Sequence, residues 1–184
     1  HQHVDHPHRG DQRHRQRREA AGELARMSRL LADGLEAGAF GYSTGLEYAT
    51  ECNATEAEVA ELCRVSAKSG GLYATHTRNR DEAAVEAIAE AIRTARAGGV
   101  QLQISHLTPR RGRDDLERSM DLVDAARRAG QNVSFDMHTR LFGTLPLKNV
   151  LPQWAFEGGK AALAVRLNDP AARQRMRSHR SLIS

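Results

Sequence analysis

Aromatic residues are scarce in this chain: one Trp, three Tyr and four Phe make up 4% of its 184 residues. Its interior must therefore be built mainly from Ala, Leu, Val and Ile. Only two cysteines are present, Cys52 and Cys63, too few for a disulfide framework and in keeping with a reducing, cytoplasmic setting. There is no run of about 18 apolar residues, which excludes a transmembrane helix and a membrane partner. No charged-then-apolar signal segment opens the chain. No glycine-rich phosphate loop follows any apolar run, which counts against a nucleotide-binding open sheet. With 40% hydrophobic and 27% charged residues the chain supports one globular domain with a core. It falls short of the about 250 residues that a closed (β/α)₈ barrel usually takes.

The formal net charge is +4, and most of it sits at the start. Within the first 18 residues, Arg9, Arg13, Arg15, Arg17 and Arg18 stand against only Asp5 and Asp11. Five of the nine histidines, His1, His3, His6, His8 and His14, lie there too. Val4 is the one aliphatic side chain in that segment, too little to offset ordering entropy, so residues 1–20 are expected to form a disordered basic extension. Such a tail suits an acidic partner. Without interleaved aromatics or a basic face elsewhere, nucleic-acid binding is not expected.

Residues 21–184 read as the folded domain. Leu24, Met27, Leu31 and Leu35 recur at helical spacing over 23–37, with Gly38 as the stop. A short apolar run, 39–43, follows. Thr55 and Glu58 form a T-x-x-E capping box for a helix through Lys68. Leu72 to His76 reads as a buried strand, 81–97 as a helix closed by Gly98-Gly99, and 100–106 as the next strand. A helix over 114–129 and a strand over 132–136 complete the series. Strand starts near 40, 72, 101 and 132 recur every 30 residues or so, the length of one βα unit. The fold class is α/β with parallel strands: half a (β/α) barrel, or a doubly wound sheet. From Leu145 the pattern changes to short helices, with Asp169-Pro170 as an N-cap and N1 pair.

Three strands end in chemically useful groups: Thr75-His76, Ser105-His106 and Asp136-Met137-His138. In parallel α/β folds the carboxyl ends of the strands carry the active site. Adjacent strands lie about 4.8 Å apart, so imidazoles on neighbouring strand ends can share one divalent ion at Zn–N distances of about 2.1 Å. His76 and His106 are the candidate metal ligands, and His138, past its strand, serves substrate or fold.

Gly41-Tyr42-Ser43-Thr44-Gly45-Leu46-Glu47-Tyr48, Tyr73-Ala74-Thr75-His76-Thr77-Arg78 and Gln103-Ile104-Ser105-His106-Leu107 closely resemble the N-acyl-D-amino-acid deacylases, or D-aminoacylases, of the metal-dependent amidohydrolase superfamily. Leu151-Pro152-Gln153-Trp154-Ala155 with Glu157-Gly158-Gly159 resembles a further segment of that family. The resemblance spans about residues 22–178. It implies that the four strands are the fourth to seventh of a (β/α)₈ TIM-type barrel, that His76 and His106 bind one or two Zn²⁺ ions, and that Tyr48 holds the substrate. The implied reaction is zinc-dependent hydrolysis of the amide of an N-acyl-D-amino acid, a small-molecule substrate, by metal-activated water.

Departures from the family accompany the matches. Its His-x-His pair lies on an upstream first strand, and His1-Gln2-His3 and His6-Pro7-His8 lack the apolar strand that should precede it. Neither Cys52 nor Cys63 matches its ligating cysteine; both read as structural. Its general-base aspartate on the eighth strand would lie beyond Ser184. Thr108 replaces a frequent lysine, and Asp136-Met137-His138-Thr139-Arg140 stands where many members have D-x-Y-P-Y. These two changes leave the substrate open, with Arg140 a candidate cation for its carboxylate. The chain is thus expected to be an internal piece of a deacylase, inactive alone if truncated and prone to self-association through exposed barrel edges. The alternatives are another amidohydrolase, hydantoinase- or dihydroorotase-like, and a non-catalytic fragment whose basic tail binds acidic partners.

Overall fold

The computed structural model describes residues 9–48, 51–138 and 151–178. The chain divides into two compact units, His1–Met137 and His138–Ser184.

In the first unit, α1 (Arg9–Glu36) leads into β1 (Gly41–Gly45), α2 (Glu56–Lys68), β2 (Leu72–His76), α3 (Ala84–Gly98), β3 (Gln101–Ile104), α4 (Arg113–Arg128) and β4 (Val133–Phe135). All strand pairs are parallel and the spatial order is β1-β2-β3-β4, the order of the sequence. Consecutive helices pack on one another, α1 on α2, α2 on α3 and α3 on α4. A doubly wound sheet would reverse its strand order and cover both faces. Here every step continues in the same direction with one helical layer, the winding of a (β/α) barrel. Among the described residues β1 and β4 are each paired on one side only.

The register assigns the two faces. Tyr42, Tyr73, Leu102 and Val133 stand in line, as do Thr44, Thr75, Ile104 and Phe135. This face meets the helices in a core with Val59, Cys63, Ile88, Ala91, Ala95, Val123 and Ala126. The opposite face carries Ser43, Ala74, Gln103 and Ser134, and His76 stands two residues beyond Ala74 on that side.

Few large side chains are needed because the helices come close. The buried face of α3 is Ala84, Ala87, Ile88, Ala91, Thr94, Ala95 and Gly98, nearly all small. A Cβ on Gly98 would lie 2.1 Å from Cys63 Cβ, so α2 and α3 touch backbone to side chain there. Tyr42 and Tyr73 stack at 4.9 Å between ring centroids and supply most of the aromatic bulk. The Tyr42 hydroxyl donates to Val59 O at 2.9 Å. Cys63 is fully buried in this core, and burial pushes its thiol up to about 11, the state of a packed structural thiol.

The capping box forms as expected: Thr55 Oγ1 accepts from Glu58 N–H at 3.2 Å, and Glu58 Oε2 accepts from Thr55 N–H at 2.9 Å. Two boundaries differ from the sequence reading. Helix α1 begins at Arg9 rather than near residue 23, so 9–20 of the expected disordered extension are helical, and 1–8 lie outside the described residues. Arg, Gln, Glu and Ala are good helix formers, and a lack of aliphatics forbids burial, not helix. Phe40, counted in an apolar run, precedes β1 and is 93% exposed.

The second unit holds a 3₁₀ turn (Gln153–Phe156), α5 (Gly159–Asn168) and α6 (Pro170–Arg177). Asp169 caps α6, accepting from Ala171 and Ala172 N–H groups with Pro170 at the first helical position, as the sequence implies. Arg175 lies 4.1 Å over the Trp154 ring.

Candidate metal centre

The parallel ladder runs on past the strands and aligns their carboxyl ends. Leu46 N–H donates to His76 O, Ser105 N–H to Thr75 O and Asp136 N–H to Ile104 O, at 3.1, 2.9 and 3.1 Å. This brings His76 and His106 together, with ring centroids 4.9 Å apart and planes tilted by 46°. Tyr48 stands edge-on to His76 at 5.7 Å. The structure thus unites three of the five residues singled out from the sequence. His138 is exposed and opens the second unit, and Arg140 lies outside the described residues.

His106 is not in a strand. It occupies a left-handed backbone conformation, φ 57°, the one non-glycine residue with positive φ among those described. Its N–H donates to Asp136 Oδ1 at 2.9 Å, and its ring Nδ1 lies 3.0 Å from the same oxygen. The Asp136 carboxyl also accepts from Gln103 Nε2 at 2.9 Å, and Gln103 Oε1 accepts from Ser134 Oγ at 2.6 Å. Burial alone would raise the Asp136 pKa, but the His106 N–H, the Gln103 amide and the adjacent imidazole outweigh it and hold the carboxyl below its usual range.

At the same end of the sheet, the three successive loops after β1, β2 and β3 are laced together by charge. Glu47, almost fully buried, binds Arg80 and accepts from Arg110 Nη2 at 2.8 Å. Arg110 Nη1 reaches Asp81 Oδ2 at 3.1 Å, and its N–H donates to Arg80 O at 2.7 Å. The Arg78 guanidinium, from the Tyr73–Arg78 motif, points away from the site. It binds both Glu90 carboxyl oxygens from Nε at 3.0 Å and donates to the carbonyls of Cys52 and Ala54. Arg78 therefore staples the loop before α2 to α3.

Whether the donors suit a metal is decided by His76. Its Nδ1 is buried with no hydrogen-bond partner among the described residues. Burial, reinforced by the fields of His106 and Arg80, lowers its pKa and favours the neutral imidazole, the form that ligates. The two imidazoles fit two of the three protein ligands that a catalytic zinc ordinarily takes. Among the described residues there is no cluster of three or more His, Cys, Asp and Glu side chains able to hold an ion.

Sequence reading marked Asp136 as a strand end without giving it a role, and it missed Glu47, Arg80 and Arg110. A signal was present: His76 and Arg80 recur thirty residues on as His106 and Arg110, and thirty further as Asp136 and Arg140. Three successive βα units thus bring His76, His106 and Asp136 to one end of the sheet, with His106 one residue beyond the register that Thr75, Ile104 and Phe135 share.

Singly wound parallel strands with paired imidazoles at their carboxyl ends define a segment of a (β/α) barrel with a candidate metal-binding pair. No family model matches the chain. It is 37% identical over 130 residues to the D-aminoacylase of Alcaligenes xylosoxydans xylosoxydans, covering 68% of this chain and 26% of that protein. A crystal structure of a D-aminoacylase, described as defining a novel subset of amidohydrolases, superposes with a TM-score of 0.61 at 36% identity, over 67% of this chain and 26% of the other. An N-acyl-D-glutamate deacylase from Bordetella bronchiseptica, solved with zinc and a phosphonate mimic of the tetrahedral intermediate, gives 0.62 at 31%, over 65% and 26%. The chain is thus similar to one segment of the N-acyl-D-amino-acid deacylases. It spans about a quarter of the length of the relatives it matches. Among the described residues no helix is long and apolar enough to cross a membrane.

Proposed function

We propose that this chain supplies part of the catalytic barrel of a metal-dependent hydrolase acting on the amide bond of N-acyl-D-amino acids. The observation that carries the reading is the His76–His106 pair, 4.9 Å between centroids, with a buried Nδ1 on His76 that has no hydrogen-bond partner among the described residues. When bound, a divalent ion, zinc by analogy with the N-acyl-D-glutamate deacylase structure, supplies Lewis-acid polarisation of the amide carbonyl and a water of lowered pKa. His76 and His106 hold that ion or contribute to a pair of ions. The lowered pKa of His76 keeps a lone pair available near neutral pH.

Tyr48, 38% exposed and edge-on to His76, contacts the substrate. His138 and Arg140 are the further substrate-binding residues of this reading, a guanidinium being suited to bidentate pairing with a carboxylate. The substrate is a small N-acyl amino acid.

Hydrolysis of N-acetyl-D- and N-acetyl-L-amino acids by the zinc-loaded chain tests the reading. Release of free amine from the D series, abolished in His76→Ala and with KM raised in Tyr48→Phe, is the expected result. Release no faster than that of a His76→Ala/His106→Ala double variant would overturn it.

A further inference from the structure

His106 combines an uncommon backbone with a specific hold. A histidine gains nothing intrinsic from φ 57°, and such conformations persist only when the surroundings over-determine them. Here they do. Thr108 N–H and Oγ1 donate to His106 O at 2.6 and 3.1 Å, and Leu107, almost fully buried, donates its N–H to Asp136 O at 2.8 Å. Asp136 holds the turn after β3 through the His106 and Leu107 N–H groups across the β3–β4 pair, and its Oδ1 lies 3.0 Å from the His106 ring Nδ1.

The grip is itself fixed. Gln103 and Ser134 are register partners on neighbouring strands. With Ser134 Oγ on Gln103 Oε1, the Gln103 amide presents its NH₂ to Asp136 Oδ2, leaving Oδ1 for His106. A carboxylate 3.0 Å from Nδ1 favours the tautomer with its proton on that nitrogen. Metal-ligating histidines are commonly oriented in this way by a carboxylate behind the ring.

We propose that Asp136 is the positioning residue of His106: its carboxylate holds the backbone N–H and the proton on Nδ1, so that Nε2 is the nitrogen His106 offers to a metal ion. The Gln103-Ile104-Ser105-His106 run then has a local reason for its first residue, since Gln103 orients the carboxylate that orients the histidine. The metal half of this statement rests on His106 being a metal ligand; the tautomer half does not.

Long-range ¹H–¹⁵N spectra of the imidazole nitrogens, recorded on the metal-free chain above the ordinary imidazole pKa and assigned with His106→Gln, read the tautomer directly. Zinc affinity is read separately by competition with a chromophoric chelator, on the parent, Asp136→Ala and Asp136→Asn. The expected parent has its His106 proton on Nδ1. Asp136→Ala shifts the proton towards Nε2 and weakens zinc about 10- to 100-fold. Asp136→Asn, which keeps an oxygen acceptor of the same size, restores part of both. A parent His106 with its proton on Nε2 would overturn the proposal, as would an Asp136→Ala chain with unchanged tautomer and zinc affinity. If the parent takes up no zinc, the metal-ligand reading fails, and the tautomer alone decides whether Asp136 positions the ring. If the alanine variant does not fold, the parent tautomer and Asp136→Asn carry the same decision.

Discussion

Glu47 and Arg110 are 63 residues apart in the chain, yet Glu47 Oε1 accepts from Arg110 Nη2 at 2.8 Å. With Arg80 on its other oxygen, this one carboxylate joins the loops that follow β1, β2 and β3. Two of those loops leave β2 and β3 beside His76 and His106, so the clamp lies at the same end of the sheet as the candidate metal centre.

Glu47→Gln leaves two guanidinium groups facing an uncharged amide in a largely buried place. Removing one partner from a buried ion pair costs about 3–5 kcal/mol. Because Arg110 is a quarter exposed, a loss near the lower end, about 3 kcal/mol, is expected by urea denaturation. A loss below about 0.5 kcal/mol, the range of ordinary surface changes, would show that the clamp does not hold the loops.

The same carboxylate gives the stability a pH dependence. Burial would raise the Glu47 pKa, but the bonds and fields of Arg80 and Arg110 outweigh burial and lower it. Folding therefore favours the charged form. That contribution is complete above the ordinary glutamate pKa and disappears as pH falls through the lowered folded value. The unfolding midpoint of the parent should drop across this acid window more steeply than that of Glu47→Gln. Parallel curves would contradict the assignment.

Arg78→Lys tests a residue that lies in a family-like motif but serves structure. Lysine keeps the charge and cannot reproduce a fork that serves Glu90 and the carbonyls of Cys52 and Ala54 together. Loss of hydrogen bonds to a charged group predicts about 1.5–3 kcal/mol of destabilisation. Zinc uptake per folded molecule should be unchanged, as atomic emission on the folded fraction would show.

Two glycine substitutions should have opposite signs. Gly34 in α1 has nothing within 4 Å of an added Cβ, so Gly34→Ala should stabilise by up to about 1 kcal/mol through helix propensity. At Gly98 the added Cβ meets Cys63 Cβ at 2.1 Å and Ala60 O at 3.1 Å. Gly98→Ala should therefore destabilise, by about 1–3 kcal/mol, as α2 and α3 are forced apart. Thermal melts of both variants check the pair.

Much of the fold was legible because its signals are local. The Thr55–Glu58 box, the glycines that follow α1 to α4 and the Asp169-Pro170 pair act over a few residues, and each βα unit repeats the last. The strand ends that hold His76 and His106 follow from the same periodicity. What was not legible depends on register between strands. That Asp136 lies beside His106, and that Glu47 meets Arg80 and Arg110, needs the pairing of β1 to β4, which the sequence of any one unit does not contain. Arg78 was legible as part of a motif, but its direction towards Glu90 was not. The extent of α1 eluded composition for another reason: arginine and glutamine are good helix formers, so a segment poor in aliphatic residues can still be helical.

The central claim is that His76 and His106 form one side of a metal centre, and zinc stoichiometry tests it most directly. Equilibrium dialysis against buffered zinc, followed by atomic emission, should give saturable near-stoichiometric uptake by the parent and none by His76→Ala/His106→Ala of equal helicity. Equal uptake by both proteins, or none by a folded parent, would contradict the account and leave the two imidazoles as polar packing at the end of a parallel sheet.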